Sequence, residues 1–217
     1  MRHLRSLQEP REGKIRRDSR NRPAHKSPDR QGYRSLSFPL GPYPTSERLR
    51  FRLPSPNDAG FYLKLMNEPD YIRYISDAGI RTTEQAVQYI KGKTLARFAA
   101  NGVGLWLVEL KETGQPIGVC GIVVRKELDH PDLGFALLEE FRGQGFGQEA
   151  GQAVQEFTQK ELKLRTLCAI THPQNTRSAN LLRKIGFEAD GQRHLSEIGE
   201  TSDYFVWKLR YVDNGLA

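Results

Sequence analysis

The sequence predicts an α/β fold: a mixed central sheet flanked by helices. Three observations carry this. Leu133 to Leu138 and Thr166 to Thr171 are apolar, strand-like runs separated by one helical stretch, Gln148 to Leu162. A strand–helix–strand unit makes its two strands parallel neighbours. Ahead of it, Leu105 to Leu110 and Ile117 to Val124 are joined through the turn residues Thr113-Gly114 and read as an antiparallel hairpin. Parallel and antiparallel pairs in one chain, with helical patterns before and after them, define a mixed sheet.

The elements follow in order. Arg48-Leu49-Arg50-Phe51-Arg52-Leu53 alternates basic and apolar residues, the pattern of a half-buried strand. Pro54 and Pro56 stop it. Ser55, or Asn57-Asp58, caps a helix that runs to about Met66. Asn67-Glu68-Pro69 breaks that helix, and Asp70 to Ile75 forms a short second one. Thr82-Thr83-Glu84 opens a helix to about Ala100, with Ala86, Val87, Ile90, Leu95 and Phe98 as its apolar face. After the hairpin and the strand–helix–strand unit, Asn175 to Ile185 is a helix ended by Gly186. Tyr204 to Leu209 is a final strand. The expected order is β, helices, β, β, β, α, β, α, β.

Charge divides the 217 residues unevenly. Met1 to Thr45 holds eleven Lys/Arg and four Asp/Glu, while Ser46 to Ala217 holds twenty-two of each. The net charge of +7 therefore belongs to the first segment. That segment is rich in Arg, Pro, Ser and Gly without apolar periodicity, so residues 1–45 are expected to be a disordered basic extension. Such a tail could touch RNA or an anionic surface; it could equally be a solvated extension or a misplaced start. The body, residues 46–212, is one domain, followed by a short tail at 213–217. Its neutrality makes nucleic acid an unlikely partner except through the extension. No apolar run has the length of a membrane span, and no signal-peptide core follows Met1. Glu9, Glu12, Asp18 and Asp29 argue against a transit peptide. Cys120 and Cys168 lie in apolar runs and read as core residues. The expectation is a cytoplasmic protein without a membrane partner; a homodimer is left open.

The stretch with most chemical content is Arg142-Gly143-Gln144-Gly145-Phe146-Gly147, between a strand and a helix. Glycines there let a backbone approach a ligand closely. The helix start supplies unpaired N–H groups and partial positive charge. Together these form a pyrophosphate cradle, and Arg142 can add charge at its rim. A glycine-rich turn without a ligand is the plainer reading. Gly145, Gly147 and Ala150 also fit G-x-G-x-x-A of dinucleotide-binding folds, but only about seventy residues follow, too few for that sheet. The Gly-Lys-Ser/Thr of a P-loop is absent.

From about Thr45 to Arg210 the chain resembles the GNAT superfamily of acetyltransferases, and within it the RimJ/RimL-like group. The resemblance rests on an ordered set of motifs. Thr45-Ser46-Glu47-Arg48-Leu49-Arg50 resembles the entry strand, Asn67-Glu68-Pro69 the break after the first helix, and Gly104 to Glu109 with Pro116-Ile117-Gly118 the central hairpin. Asp132-Leu133-Gly134-Phe135 then leads into Phe141 to Ala150, followed by Asn175-Thr176-Arg177-Ser178 and Lys184-Ile185-Gly186-Phe187. The resemblance implies a single domain in which two parallel strands, Leu133–Leu138 and Thr166–Thr171, splay apart. Acetyl-CoA would enter that wedge as co-substrate, without a metal. Its pantetheine arm would pair with backbone groups of Phe135, Ala136 and Leu137, as an added strand does. The pyrophosphate would fall on Gly143, Gln144, Gly145, Phe146 and Gly147.

Further roles come from the same resemblance. Asn175 would hydrogen-bond the pantetheine arm, although Asn at a helix start is also an ordinary N-cap. The tyrosine that many members carry seven residues after the Asn is Leu182 here, and Ser178 occupies the position that RimJ/RimL-like members use instead. Ser178 is therefore the expected catalytic residue, acting on the leaving thiolate. From their places in the chain, Asp132 at the start of the splayed strand and Glu68 and Glu197 in loops that could border the acceptor are candidate bases, each also readable as a solvated acid. The acceptor is a primary amine, on a protein N-terminus or a small molecule. Two other classes stay open: a non-catalytic CoA-binding module, and an RNA-associated protein acting through its tail.

Overall fold

A computed structural model describes residues 42–209. The sheet has seven strands: β1 (Leu49–Arg52), β2 (Leu105–Leu110), β3 (Pro116–Val123), β4 (Asp132–Leu137), β5 (Thr166–Thr171), β6 (Glu188–Leu195) and β7 (Glu200–Lys208). Their spatial order is β1-β2-β3-β4-β5-β7-β6. Only β4 and β5 are parallel; every other neighbouring pair is antiparallel. The class and the parallel pair are as the sequence predicts.

Six strands were expected and seven form. β6 was missed because Glu188-Ala189-Asp190-Gly191-Gln192-Arg193-His194 is exposed throughout, with Leu195 its only buried residue. An edge strand without a buried face has no period-2 signal; pairing with β7 makes it a strand. β7 also starts earlier than expected, at Glu200.

Helices cover both faces. On one, α1 (Ala59–Met66), α3 (Thr83–Tyr89) and the turn after α3 bury Tyr62, Leu65, Ala86 and Ile90 against Leu107 and Val119. α2 (Pro69–Tyr74) follows α1. On the other face lie α5 (Phe146–Lys160) and α6 (Thr176–Lys184). α5 places Phe146, Ala150, Ala153, Val154 and Phe157 on one stripe, all buried. Phe157 meets Trp106 edge-on at 5.1 Å. Gly186, at φ +89°, ends α6, and Phe187 N donates back to Leu182 O.

The single helix expected from Thr82 to Ala100 is three segments. α3 begins with a Thr82–Gln85 capping box. Ile90–Leu95 is π-helical, and α4 (Ala96–Asn101) completes the run. Thr94 is buried between Ile90 and Phe98, and Leu95 packs beside it on the edge of the same cluster.

Tyr43 packs against the core, Pro44 is buried, and Thr45 bridges Arg50. The packed body thus includes residues 43–45. The expectations for residues 1–41 and 210–217 lie outside the described residues. Among those described, no helix is long and apolar enough to cross a membrane. Cys120 and Cys168 are buried free thiols, and burial pushes Cys120 up to about 12.

Candidate active site

The site begins where the sheet fails to close. β4 pairs with β3 from Asp132 to Leu137, and β5 pairs with β7 along its whole length. Between β4 and β5 only Asp132 and Cys168 are in register, with Cys168 N donating to Pro131 O at 2.8 Å. Past that point the strands diverge, leaving the β4 edge without a strand partner.

Backbone groups alternate between a strand's two edges. Pro131 O faces β5, so Leu133, Phe135 and Leu137 also direct their N–H and C=O groups into the wedge. Ala136 faces the other way: its carbonyl oxygen is 2.5 Å from where a Cβ on Gly118 of β3 would lie. Of the three residues expected to pair with pantetheine, Phe135 and Leu137 have backbone groups facing the wedge, and Ala136 presents only its side chain. The Leu137 carbonyl is already engaged, accepting Arg142 Nε at 2.9 Å.

The glycine loop leads from β4 into α5. Gly143 and Gly145 have φ of +76° and +84°, and Gly145 is the N-cap. Both require the left-handed conformation that glycine adopts without strain. Gly145 has no side chain to cap the helix, so the first N–H groups of α5 face outward from an exposed loop. A Cβ on Gly143 would meet nothing within 4 Å. Gly147 differs. It is buried, and a Cβ there would lie 2.6 Å from Leu181 Cδ1, so its smallness lets α6 approach α5. α5 starts at Phe146, two residues before the expected Gln148.

Arg48, at the entry to β1, clamps this loop. Its N and Nε each donate to Glu149 at 2.7 Å, and its guanidinium lies 4.3 Å above the Phe146 ring. No local pattern in the sequence marks this pair, because the partners are 101 residues apart.

Arg142 is not a free charge at the rim. Its guanidinium pairs with Glu68 and, at 2.8 Å, with Asp70. Glu68 also accepts Glu139 N at 2.8 Å. Arg142 therefore anchors α2 and the start of the loop, and its charge is neutralised there. Asp70 further reaches Arg177 on α6, 3.3 Å away, spanning the mouth of the wedge. These residues line a cavity of about 150 Å³.

At the start of α6, Asn175 Oδ1 accepts Ser178 N at 3.1 Å, which is an N-cap bond. The Asn175 amide group is left to donate elsewhere. The Ser178 hydroxyl makes no hydrogen bond among the described residues, and Leu182, one turn on, is fully buried.

The three candidate bases separate. Asp132 is buried where β4 and β5 meet and pairs with Arg125 at 2.9 Å. Burial pushes its carboxyl up, against the Arg125 charge. Its Oδ1 couples to the Ile170 N–H but makes no hydrogen bond of normal geometry. Glu68 is committed to Arg142. Glu197 is exposed and pairs with Arg125 at 3.4 Å.

A parallel strand pair that opens beside a helix N-terminus, with a glycine loop beyond it, defines an α/β fold built to receive an extended, anionic ligand. Residues 48–188 match the family described as "Acetyltransferase (GNAT) domain". The chain belongs to this GNAT acetyltransferase family. It is 27% identical over 170 residues to the uncharacterized N-acetyltransferase p20 of Bacillus licheniformis, covering 76% of this chain and 93% of that protein. An acetyltransferase from Agrobacterium tumefaciens superposes with a TM-score of 0.64 at 26% identity, covering 78% of this chain and 96% of that one. AAC(6′)-Ib, solved with acetyl-CoA, shares the fold at a TM-score of 0.60 and 19% identity, over 75% of this chain and 94% of its own.

Proposed function

We propose that this protein transfers an acetyl group from acetyl-CoA to a primary amine by direct attack in a ternary complex, in the manner of the RimJ/RimL-like group. The observation that carries this is the β4 edge left unpaired beyond Asp132. An unpaired strand edge away from solvent competition is a template for an added extended group. The pantetheine amides are such a group. The Phe135 backbone holds them from one side, and the Asn175 amide donates from the other. Gly143 to Gly147 receive the pyrophosphate on the α5 N-terminus.

The amine nitrogen attacks the thioester carbonyl, a C–N bond forms, and the C–S bond breaks. The Leu137 N–H faces the wedge and stabilises the developing oxyanion. The leaving thiolate takes a proton or hydrogen bond from Ser178 Oγ. An α-amino group, with a reference pKa near 8, can lose its proton to water, so none of the three acids has to act as base. Holding both substrates in line supplies much of the acceleration.

Thiol release from acetyl-CoA, measured against peptide N-termini, amino sugars, polyamines and amino acids, tests this reading. Turnover with at least one amine and no acetylated enzyme after rapid quench is the expected result. Acetyl-CoA binding without any turnover would leave a coenzyme A-binding module instead.

A further inference from the structure

Four arginines are partly buried among the described residues: Arg52, Arg97, Arg125 and Arg142. Three of them each bridge two carboxylates. Arg52 joins Asp58 and Glu109, Arg125 joins Asp132 and Glu197, and Arg142 joins Glu68 and Asp70. Arg97 bridges none. The groups whose ionisation it influences are the Tyr71 and Tyr89 hydroxyls and the Asp132 carboxyl, which Arg125 already holds. Withdrawing a guanidinium from water without a counter-charge is costly. An anion from outside the chain would remove that cost.

The surroundings of Arg97 form a niche. It lies beneath the π turn, between α1, α4 and the sheet, and is lined by Tyr62, Tyr71, Tyr89, Thr94, Arg97 and Val119 among others. Tyr62 Oη is buried and, although coupled to Thr94, makes no hydrogen bond of normal geometry. The niche therefore holds a guanidinium that no carboxylate bridges and a buried hydroxyl without a hydrogen bond of normal geometry. Its volume is about 20 Å³. A single water needs roughly 10–15 Å³, so the niche admits the polar tip of a small group and excludes a ring.

Its position relates it to the acyl-transfer site. Val119 of β3 pairs with Ala136 of β4, and both side chains belong to the cluster under α1 and α3. The wedge-facing groups of Phe135 and Leu137 flank Ala136. The niche thus lies on the sheet face that carries the Ala136 side chain, one strand from the β4 edge.

We infer that the acceptor is an amine that carries a carboxylate, and that Arg97, with the Tyr62 hydroxyl, is the residue that selects it. This rests on the acetyltransferase reading above and adds the acceptor class to it. Arg97 is a specificity residue, remote from the bonds that change.

The test compares 4-aminobutanoate with its amide and with butylamine, and phenylalanine with phenylalaninamide, by kcat/KM for thiol release. The carboxylated member of the better set should exceed its amide by about tenfold or more, the scale of one charge-assisted hydrogen-bonded pair. In Arg97→Gln that ratio should fall towards one, and Arg97→Lys should restore part of it. Acetyl-CoA affinity, read by calorimetry, should stay within about twofold in both variants. Calorimetry with N-acetyl-4-aminobutanoate and its amide gives a second reading that needs no turnover, with the same preference and the same dependence on Arg97. Equal use of acid and amide, or equal binding of the two products, would overturn the inference and leave the acetyltransferase reading standing. Failure of acetyl-CoA itself to bind would overturn that reading instead.

Discussion

Glu149 accepts two hydrogen bonds from Arg48, from the backbone N and from Nε, each at 2.7 Å. The pair ties the start of β1 to the first turn of α5, where the pyrophosphate is proposed to sit. Arg48 is half exposed, so screening reduces the contribution of the pair to about 1 kcal/mol. Glu149→Ala should lower the melting temperature by a few degrees and weaken acetyl-CoA binding roughly fivefold. Unchanged affinity by calorimetry would show that the clamp does not shape the loop.

Gly143 gives the cleanest test of the cradle. Its φ of +76° favours glycine, but a Cβ there meets nothing. Asn and Asp tolerate this conformation best among side-chain-bearing residues. Gly143→Asn should retain acetyl-CoA binding within a few-fold, while Gly143→Asp should lose at least about tenfold through charge repulsion. Equal losses would point to backbone strain alone. Gly147→Glu is a poorer probe, because its Cβ would strike Leu181 at 2.6 Å.

Asn175 has a cap bond through Oδ1 and a free amide. Asn175→Ala should cost about 1 kcal/mol of stability. Asn175→Asp keeps the acceptor and removes the donor. Its stability should equal that of the parent, while acetyl-CoA affinity falls several-fold. An Asp variant that binds normally would reduce Asn175 to a cap.

Ser178 contributes its backbone N–H to the cap, and its hydroxyl takes no part. Ser178→Ala should therefore leave the melting temperature unchanged. If the hydroxyl assists the leaving thiolate, kcat should fall by about tenfold to several hundredfold, with KM for acetyl-CoA little changed. Full turnover would leave proximity as the main source of rate.

Acid stability should depend on Asp58. Burial alone would raise its carboxyl, but hydrogen bonds from Arg52 and from Ser55 N outweigh burial and hold it below its ordinary 3.8. A depressed folded value means that its contribution is present above that pH and is lost as pH falls through the folded value. The melting temperature of Asp58→Asn should lie well below the parent's at pH 6 and approach it between pH 4 and pH 2. A deficit constant over that range would remove Asp58 from the acid transition.

The course of the backbone was legible in the sequence wherever burial leaves a pattern. β2 and β3 are buried on both faces and show as continuous apolar runs, while α5 and α6 bury one face, which shows as spacing. The glycine loop was legible for a related reason: left-handed backbone at 143 and 145 calls for glycine. β6, exposed along all but one residue, left no pattern to find. What tertiary structure alone decided is which groups meet. Arg142 looked like a phosphate ligand until Glu68 and Asp70 were brought beside it. Arg97 carries no local mark in the sequence; the fold half-buries it without a carboxylate bridge. Local sequence determines which edge or face of an element a group occupies. The partner on the facing element can be a hundred residues away, and only packing sets its distance and its charge.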